Sequence, residues 1–229
     1  MFATLPLLTF LSYFAMASAA VIPAGSTAPN GNVSTRAALS AIQALVSVHN
    51  LSNPANPTFM GYLNAVNGFT YGLTSDPNSA TVVSAQLDSL NPGDISLQTE
   101  NYGYSVLGLS GNYTSIGSGS RNFAFLVAAD PVPQNSPAQR VSSQSITKGG
   151  LPLPTQTAVW SLEDGDSLII KPTWINPDGS RAKTTLAYSL YYKNLIVTGD
   201  LRALAIWDPL AISTPVRFTL TPQNLPSSS

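Results

Sequence analysis

A chain of 229 residues with no cysteine and a net charge of −1 excludes several chemistries at once. It can build no disulfide framework, thiolate metal site or thiol nucleophile, and its scattered basic residues leave no footprint for nucleic acid or an anionic membrane. With 44% hydrophobic and only 9% charged residues, it is not a disordered composition either; Ser, Thr and Asn do the solvating, which suits a neutral polyhydroxyl partner.

Residues 1–20 read as a signal peptide. The run from Leu5 to Ala15 is apolar and uncharged and ends in Ala17-Ser18-Ala19-Ala20, the small-residue pattern that signal peptidase accepts. It is shorter than the roughly 20 residues of a membrane span and is interrupted by Pro6 and Ser12. The chain is therefore expected to be secreted, extracellular or in a cell wall, with no membrane attachment after cleavage. Residues 21–35, rich in Ala, Pro, Gly, Ser and Asn, read as a flexible mature N-terminus.

Ala37 to Val48 is the one early helix the pattern supports. Leu39, Ile42, Leu45 and Val46 recur at spacings of three and four, Thr35 is a candidate N-cap, and a β reading of Ala44 to Val48 stays open. From Phe59 onward short apolar bursts alternate with turn residues. Strands are predicted at Met60–Ala65, Gly68–Leu73, Ala80–Leu87, Ile95–Gln98, Tyr102–Leu109 and Phe123–Ala128. Residues 130–154, rich in Pro, Ser and Gln, read as a long surface loop with an edge strand near Arg140 to Ser145.

The strongest local signals follow. Strands are predicted at Ala158–Leu162, Leu168–Ile175, Thr184–Tyr192 and Leu195–Thr198. The acidic turn Glu163-Asp164-Gly165-Asp166 and the turn Asn176-Pro177-Asp178-Gly179-Ser180 separate the first three. Asp200 to Ile206 reads as a short helix capped by Asp200. The alternation Val216, Phe218, Leu220 against Arg217 and Thr219 reads as a half-buried strand, and residues 223–229 as a frayed tail. The sum is a mainly β protein, an antiparallel β-sandwich or jelly-roll-like fold with a short helix near each end, forming a single β-rich domain over 36–222 with the 130–154 loop inside it.

The order Trp160, then Pro172-Thr173-Trp174-Ile175-Asn176, then Asp178-Gly179-Ser180, then Thr198-Gly199-Asp200 resembles small secreted proteins of mushroom-forming fungi whose function is uncharacterised. Tyr102 to Leu107 and Ser120-Arg121-Asn122-Phe123-Ala124 are also similar. The resemblance implies a fungal extracellular protein and brings no substrate, cofactor or catalytic residue.

Chemistry-bearing residues are few. His49 is the single histidine, and no G-x-S-x-G elbow partners it. Zinc or copper sites made of several imidazoles are excluded by count. Glu100 and Glu163 are the only glutamates, and most aspartates sit in turns, so turn chemistry accounts for them without a catalytic pair. Glu163 to Ser167 lacks the distal ligands of a calcium loop. No catalytic, metal or cofactor residue is assigned. Trp174, Asn176 and Tyr191 are the candidate carbohydrate contacts, with Tyr191 the ring most expected outside and strand aromatics otherwise expected in the core. Asn32, Asn50 and Asn112 head N-x-[ST] sequons, each predicting a glycosylated surface position. The expected function is a non-enzymatic extracellular or cell-wall protein with weak binding of a neutral glycan. The alternatives are a carboxylate-dependent hydrolase of wall polysaccharide and a purely structural extracellular protein.

Overall fold

The computed structural model describes residues 41–66, 70–87, 92–101, 103–111, 115–144, 151–163, 168–209 and 213–223. The expected leader, the 21–35 segment, the acidic turn at 164–167 and the tail beyond 223 lie outside these residues, as do Asn32 and Asn112. Contacts divide the chain into Met1–Ala37 and Ala38–Ser229, and everything described belongs to the second unit.

The described chain begins with β1 (Ile42–Asn50), a strand where the apolar spacing suggested a helix. Ala44, Val46 and Val48 point into the core, yet Leu45 and Ser47 on the other face are buried as well. A strand covered on both faces reads as a continuous apolar run rather than an alternating one, and such a run is easily taken for a helix. Pairing decides the matter: β1 is flanked on both edges, and tertiary context overrides alanine's helical preference.

The strands β2 (Thr58–Val66), β3 (Thr70–Thr74), β4 (Val82–Ala85), β5 (Ile95–Asn101), β6 (Tyr104–Ser110) and β7 (Phe123–Ala129) follow close to the predicted positions. Among its described residues the 130–154 connection carries the two-residue β8 (Gln139–Arg140), which pairs with β9 (Pro154–Gln156), and a single bridge from Ser143 to Ala129. Then come β10 (Trp160–Leu162), β11 (Ile169–Pro172), β12 (Trp174–Ile175), β13 (Arg181–Ala182), β14 (Thr185–Ser189), β15 (Asn194–Thr198), helix α1 (Leu201–Trp207) and β16 (Ser213–Pro222). Leu168–Ile175, expected as one strand, is split at Thr173, so that β12 leaves the main sheet to pair with β13.

The main sheet is antiparallel and closes on itself. Around the ring run β16, β14, β15, β7, β6, β5, β4 and β1, and β1 returns to β16 in register from Ala44 opposite Pro222 to Asn50 opposite Val216. The result is an eight-stranded closed barrel rather than the sandwich or jelly-roll expected. Closure removes the edges that an open sheet would leave unpaired. Three ring strands are long enough to take two partners along one edge. β1 pairs with β4 over Ile42–Leu45 and with β2 over Ser47–Asn50, β16 pairs with β14 and then β11, and β6 pairs with β5 and then β9. Among the described residues α1 is the one α-helix, and no helix is long and apolar enough to cross a membrane.

The core is continuous from the barrel to Trp160 and Trp174, both fully buried. Trp160 stacks on Phe218 with centroids 6.1 Å apart, and its Nε1 donates to the Leu107 carbonyl at 2.9 Å. Each such ring contributes on the order of 2–3 kcal/mol from area alone. The Gln156 amide matches both backbone groups of Ile175, accepting from its N at 3.0 Å and donating to its O at 2.6 Å, which satisfies the edge that β12 exposes by leaving the sheet.

The Thr198-Gly199-Asp200 sequence is a junction. A Cβ on Gly199 would lie 2.6 Å from the Gly117 backbone, so glycine is needed for the two segments to touch. Thr198 Oγ1 donates to the Asn122 carbonyl at 2.9 Å, and Asp200 Oδ2 accepts from Gly119 N at 2.9 Å.

Candidate functional site

α1 is apolar almost all round, with Arg202 its one charged residue. A helix of that kind is expected to be buried, but only Leu204 is. Asp200 caps its start, accepting from Arg202 N and Ala203 N at 2.9 Å each. The Ala203 and Gly119 amides hold the Asp200 carboxyl below the usual carboxylate range. At the other end, Tyr192 Oη donates to Asp208 Oδ2 at 3.1 Å and so ties the β14–β15 turn to the end of the helix. That bond raises the Tyr192 pKa.

Leu204 packs on the outer face of the barrel against Ala187 and Ile196, with Phe123, Phe125 and Leu201 around them. The fit is incomplete. A pocket of about 350 Å³, counted to its mouth, is lined by Phe123, Phe125, Ser189, Tyr192, Asn194, Ile196 and Leu204. Exposed apolar side chains lie around it on the same turn and helix: Leu190, Tyr191, Tyr192, Ile206 and Trp207. Tyr191 and Tyr192 stand edge to face, centroids 5.0 Å apart at 89°. The Arg121 guanidinium sits 4.8 Å over the Trp207 ring, a cation–π contact.

The three candidate carbohydrate contacts do not come together. Tyr191 is 61% exposed, as the sequence reading expected. The Trp174 ring is fully buried in the barrel core and offers no face to a sugar. Asn176 holds the fold together: its Oδ1 accepts from Ile116 N at 2.9 Å, and its Nδ2 donates to the Ile116 carbonyl and to Ser180 Oγ, each at 3.1 Å. The expected turn at Asn176–Ser180 is present, with Gly179 at φ +82° and Asp178 accepting from Ser180 N. The ring that does join Tyr191 is Tyr192, and the Tyr192–Asp208 bond fixes that pair to the helix end that carries Trp207. The signal of that end in the sequence was a helix with no polar face ending in Trp207-Asp208-Pro209. Asn50, the described sequon asparagine, is half-buried at the end of β1, where its Oδ1 accepts from Ser52 N at 2.7 Å.

A second concavity lies where Gly93 and Trp160 bridge. Gly93, Asp94, Pro131, Val132, Pro133, Gln134 and Ala158 line an open groove of about 780 Å³. Gln134 Nε2 donates to the Pro92 carbonyl across it, and Val132 N donates to Thr157 Oγ1 at 2.8 Å. Asp94 Oδ1 is buried with no hydrogen-bond partner. Burial pushes the carboxyl up, and the Thr157 hydroxyl offsets part of that shift. Asp94 is the sole carboxyl among these lining residues.

His49 has no catalytic geometry. It lies on the outer face of β1 beside Phe59 and opposite Arg217, and burial and the Arg217 charge keep it below its ordinary pKa. Ser47 Oγ is 3.4 Å from its Nε2 but donates to the Thr219 carbonyl at 3.0 Å. Among the described residues no group of three or more His, Cys, Asp or Glu could hold a metal. No protein-family model matches the chain, and no curated protein or solved structure matches it either.

Proposed function

We propose that the chain is a secreted, non-enzymatic extracellular or cell-wall protein that binds a neutral glycan weakly at the corner formed by α1 and the β14–β15 turn. One observation carries the reading: Tyr191, Tyr192 and Trp207 are 61%, 50% and 49% exposed, and the Tyr192–Asp208 hydrogen bond ties the turn that carries the tyrosines to the helix end beside Trp207. Single exposed aromatic rings are ordinary, but a group of them on one surface marks an interaction site. A pyranose presents C–H groups on one face and hydroxyls at its rim, which match an aromatic ring with Asp208 and Arg121 beside it. The two tyrosines stand at right angles, so a sugar meets a ring face and a ring edge rather than a flat platform, in keeping with weak affinity. A surface poor in charge favours a neutral sugar over an acidic one.

A glycan-array screen of the mature protein, repeated with Tyr191→Ala and Trp207→Ala, tests this. Binding that weakens about tenfold in either variant supports the corner; binding to no glycan rejects it.

A second reading, hydrolysis of wall polysaccharide, draws on Asp94, a carboxyl of raised pKa in an open groove. Glycosidases commonly need two carboxyls about 5 to 10 Å apart, and the groove lining supplies one. Reducing-sugar release lost on Asp94→Asn would favour this reading over the first.

A further inference from the structure

We propose that the outer face of the barrel at Arg217, His49 and Phe59 binds a small carboxylate carried on one aromatic ring, of the benzoate class. The carboxylate meets the Arg217 guanidinium, and the ring lies against Phe59 across the His49 imidazole. The three residues form one row across the sheet: Arg217 on β16 is opposite His49 on β1, and His49 is opposite Phe59 on β2. Adjacent strands lie about 4.8 Å apart, so the ends of the row are about 10 Å apart at the backbone. The arginine side chain and a single ring close that gap.

Arg217 is the starting point because its charge is unanswered. It is half-buried, and among the described residues it makes no ion pair or hydrogen bond. A cation shielded from water in this way is ordinarily paired. Its Nε is buried, but the terminal Nη1 and Nη2 keep accessible surface, and their parallel N–H groups suit a carboxylate taken bidentately. The neighbouring strands bring no acid: β1, β2, β3, β11 and β16 contain no Asp or Glu, and β11 adds Lys171. Asp76, which follows β3, is engaged by Asn78 N at 3.0 Å and Ser79 Oγ at 2.6 Å. Glu163, which follows β10, makes no ion pair among the described residues.

Phe59 supplies the apolar contact. It is 53% exposed, and it is braced edge to face by His49 at 5.7 Å and by Tyr62 at 5.0 Å. A ring braced on two sides is in place before a ligand arrives, which limits the ordering cost of binding. His49 makes the site sensitive to pH. The charged or titratable groups on the strands flanking it are Arg217 from β16 and Tyr62 from β2. Burial and the Arg217 charge hold its pKa down, and a carboxylate bound beside it favours the protonated form. Binding therefore takes up a proton and strengthens as pH falls. The glycan reading stands or falls separately, because its rings lie on α1 and the β14–β15 turn.

NMR titrations of the full chain with benzoate, benzyl alcohol and acetate test the assignment. Benzoate should shift the His49, Phe59 and Arg217 signals and bind about tenfold more tightly than benzyl alcohol, which lacks the charge, or acetate, which lacks the ring. Its affinity should rise as pH falls from about 8 to about 5.5, and His49→Gln should remove that rise. Arg217→Gln should weaken benzoate about tenfold. In the wild type alone, no binding of benzoate, an affinity no better than either comparator, or a flat pH profile overturns the proposal. So does an Arg217→Gln protein with a normal melting curve that keeps full benzoate affinity, because the guanidinium would then serve only the packing of the sheet.

Discussion

Trp160 and Trp207 show two ways of placing a tryptophan. Trp160 has every demand met: its ring is stacked on Phe218, its N–H is bonded to Leu107, and none of its surface is exposed. Trp207, 47 residues on in the chain, is 49% exposed at the end of an apolar helix, with an arginine over its ring and a partly empty pocket nearby. The barrel core is a region where packing and hydrogen bonding agree. The α1 corner combines exposed rings with a partly empty pocket. The first region holds the fold together, the second is where we propose recognition, and substitutions can separate the two.

The largest expected effect is on the core. Trp160→Ala should destabilise the fold by about 3–5 kcal/mol, read from denaturant unfolding, because it empties the centre of the core and strands the Leu107 carbonyl. Next is Asn176→Ala, expected to cost about 1–3 kcal/mol. It leaves the Ile116 N–H, in a residue only 2% exposed, without its acceptor. A loss well under that range would show that the loop carrying Ile116 is held by other contacts.

Asp94 and Asp200 should respond to pH in opposite directions. The Asp94 carboxyl is raised in the folded state, so the fold binds its proton more tightly than the unfolded chain. Stability from this group is present at acid pH and is lost as pH rises from the ordinary carboxyl value through the raised one. Asp94→Asn should flatten that decline in a pH series of melting temperatures and leave the protein no less stable at pH 7. Asp200 is lowered, so its contribution is present above the ordinary carboxyl value and fades as pH falls through the depressed one. Asp200→Asn should reduce that acid-side loss. The smallest expected effect is that of Trp207→Ala on stability, within about 0.5 kcal/mol, even where glycan binding falls. A loss comparable to that of Trp160→Ala would remove the contrast between the two regions.

Much of the sheet could be read from local pattern. The half-buried β16 announced itself by strict alternation, the β12–β13 turn by Asn176-Pro177-Asp178-Gly179-Ser180, and α1 by its Asp200 cap. β1 was misread because burial on both faces erased the alternation that marks a strand. Trp174 was offered to a sugar because its neighbours Asn176 and Asp178 are polar, yet those groups close a turn and hold Ile116 while the ring turns inward.

Composition and local chemistry by themselves determined a cysteine-free, mainly antiparallel β protein, turns such as those at Asp76–Asn78 and Asn176–Ser180, and the absence of charge patterns suited to nucleic acid. These depend on residues a few positions apart, where steric and hydrogen-bonding preferences act directly. Only the tertiary structure decided that β1 and β16 join to close a barrel, and that Trp160 and Trp174 go inside while Trp207 stays out. Those outcomes depend on groups far apart in sequence, such as Ala44 and Pro222, which meet only when the whole sheet has formed.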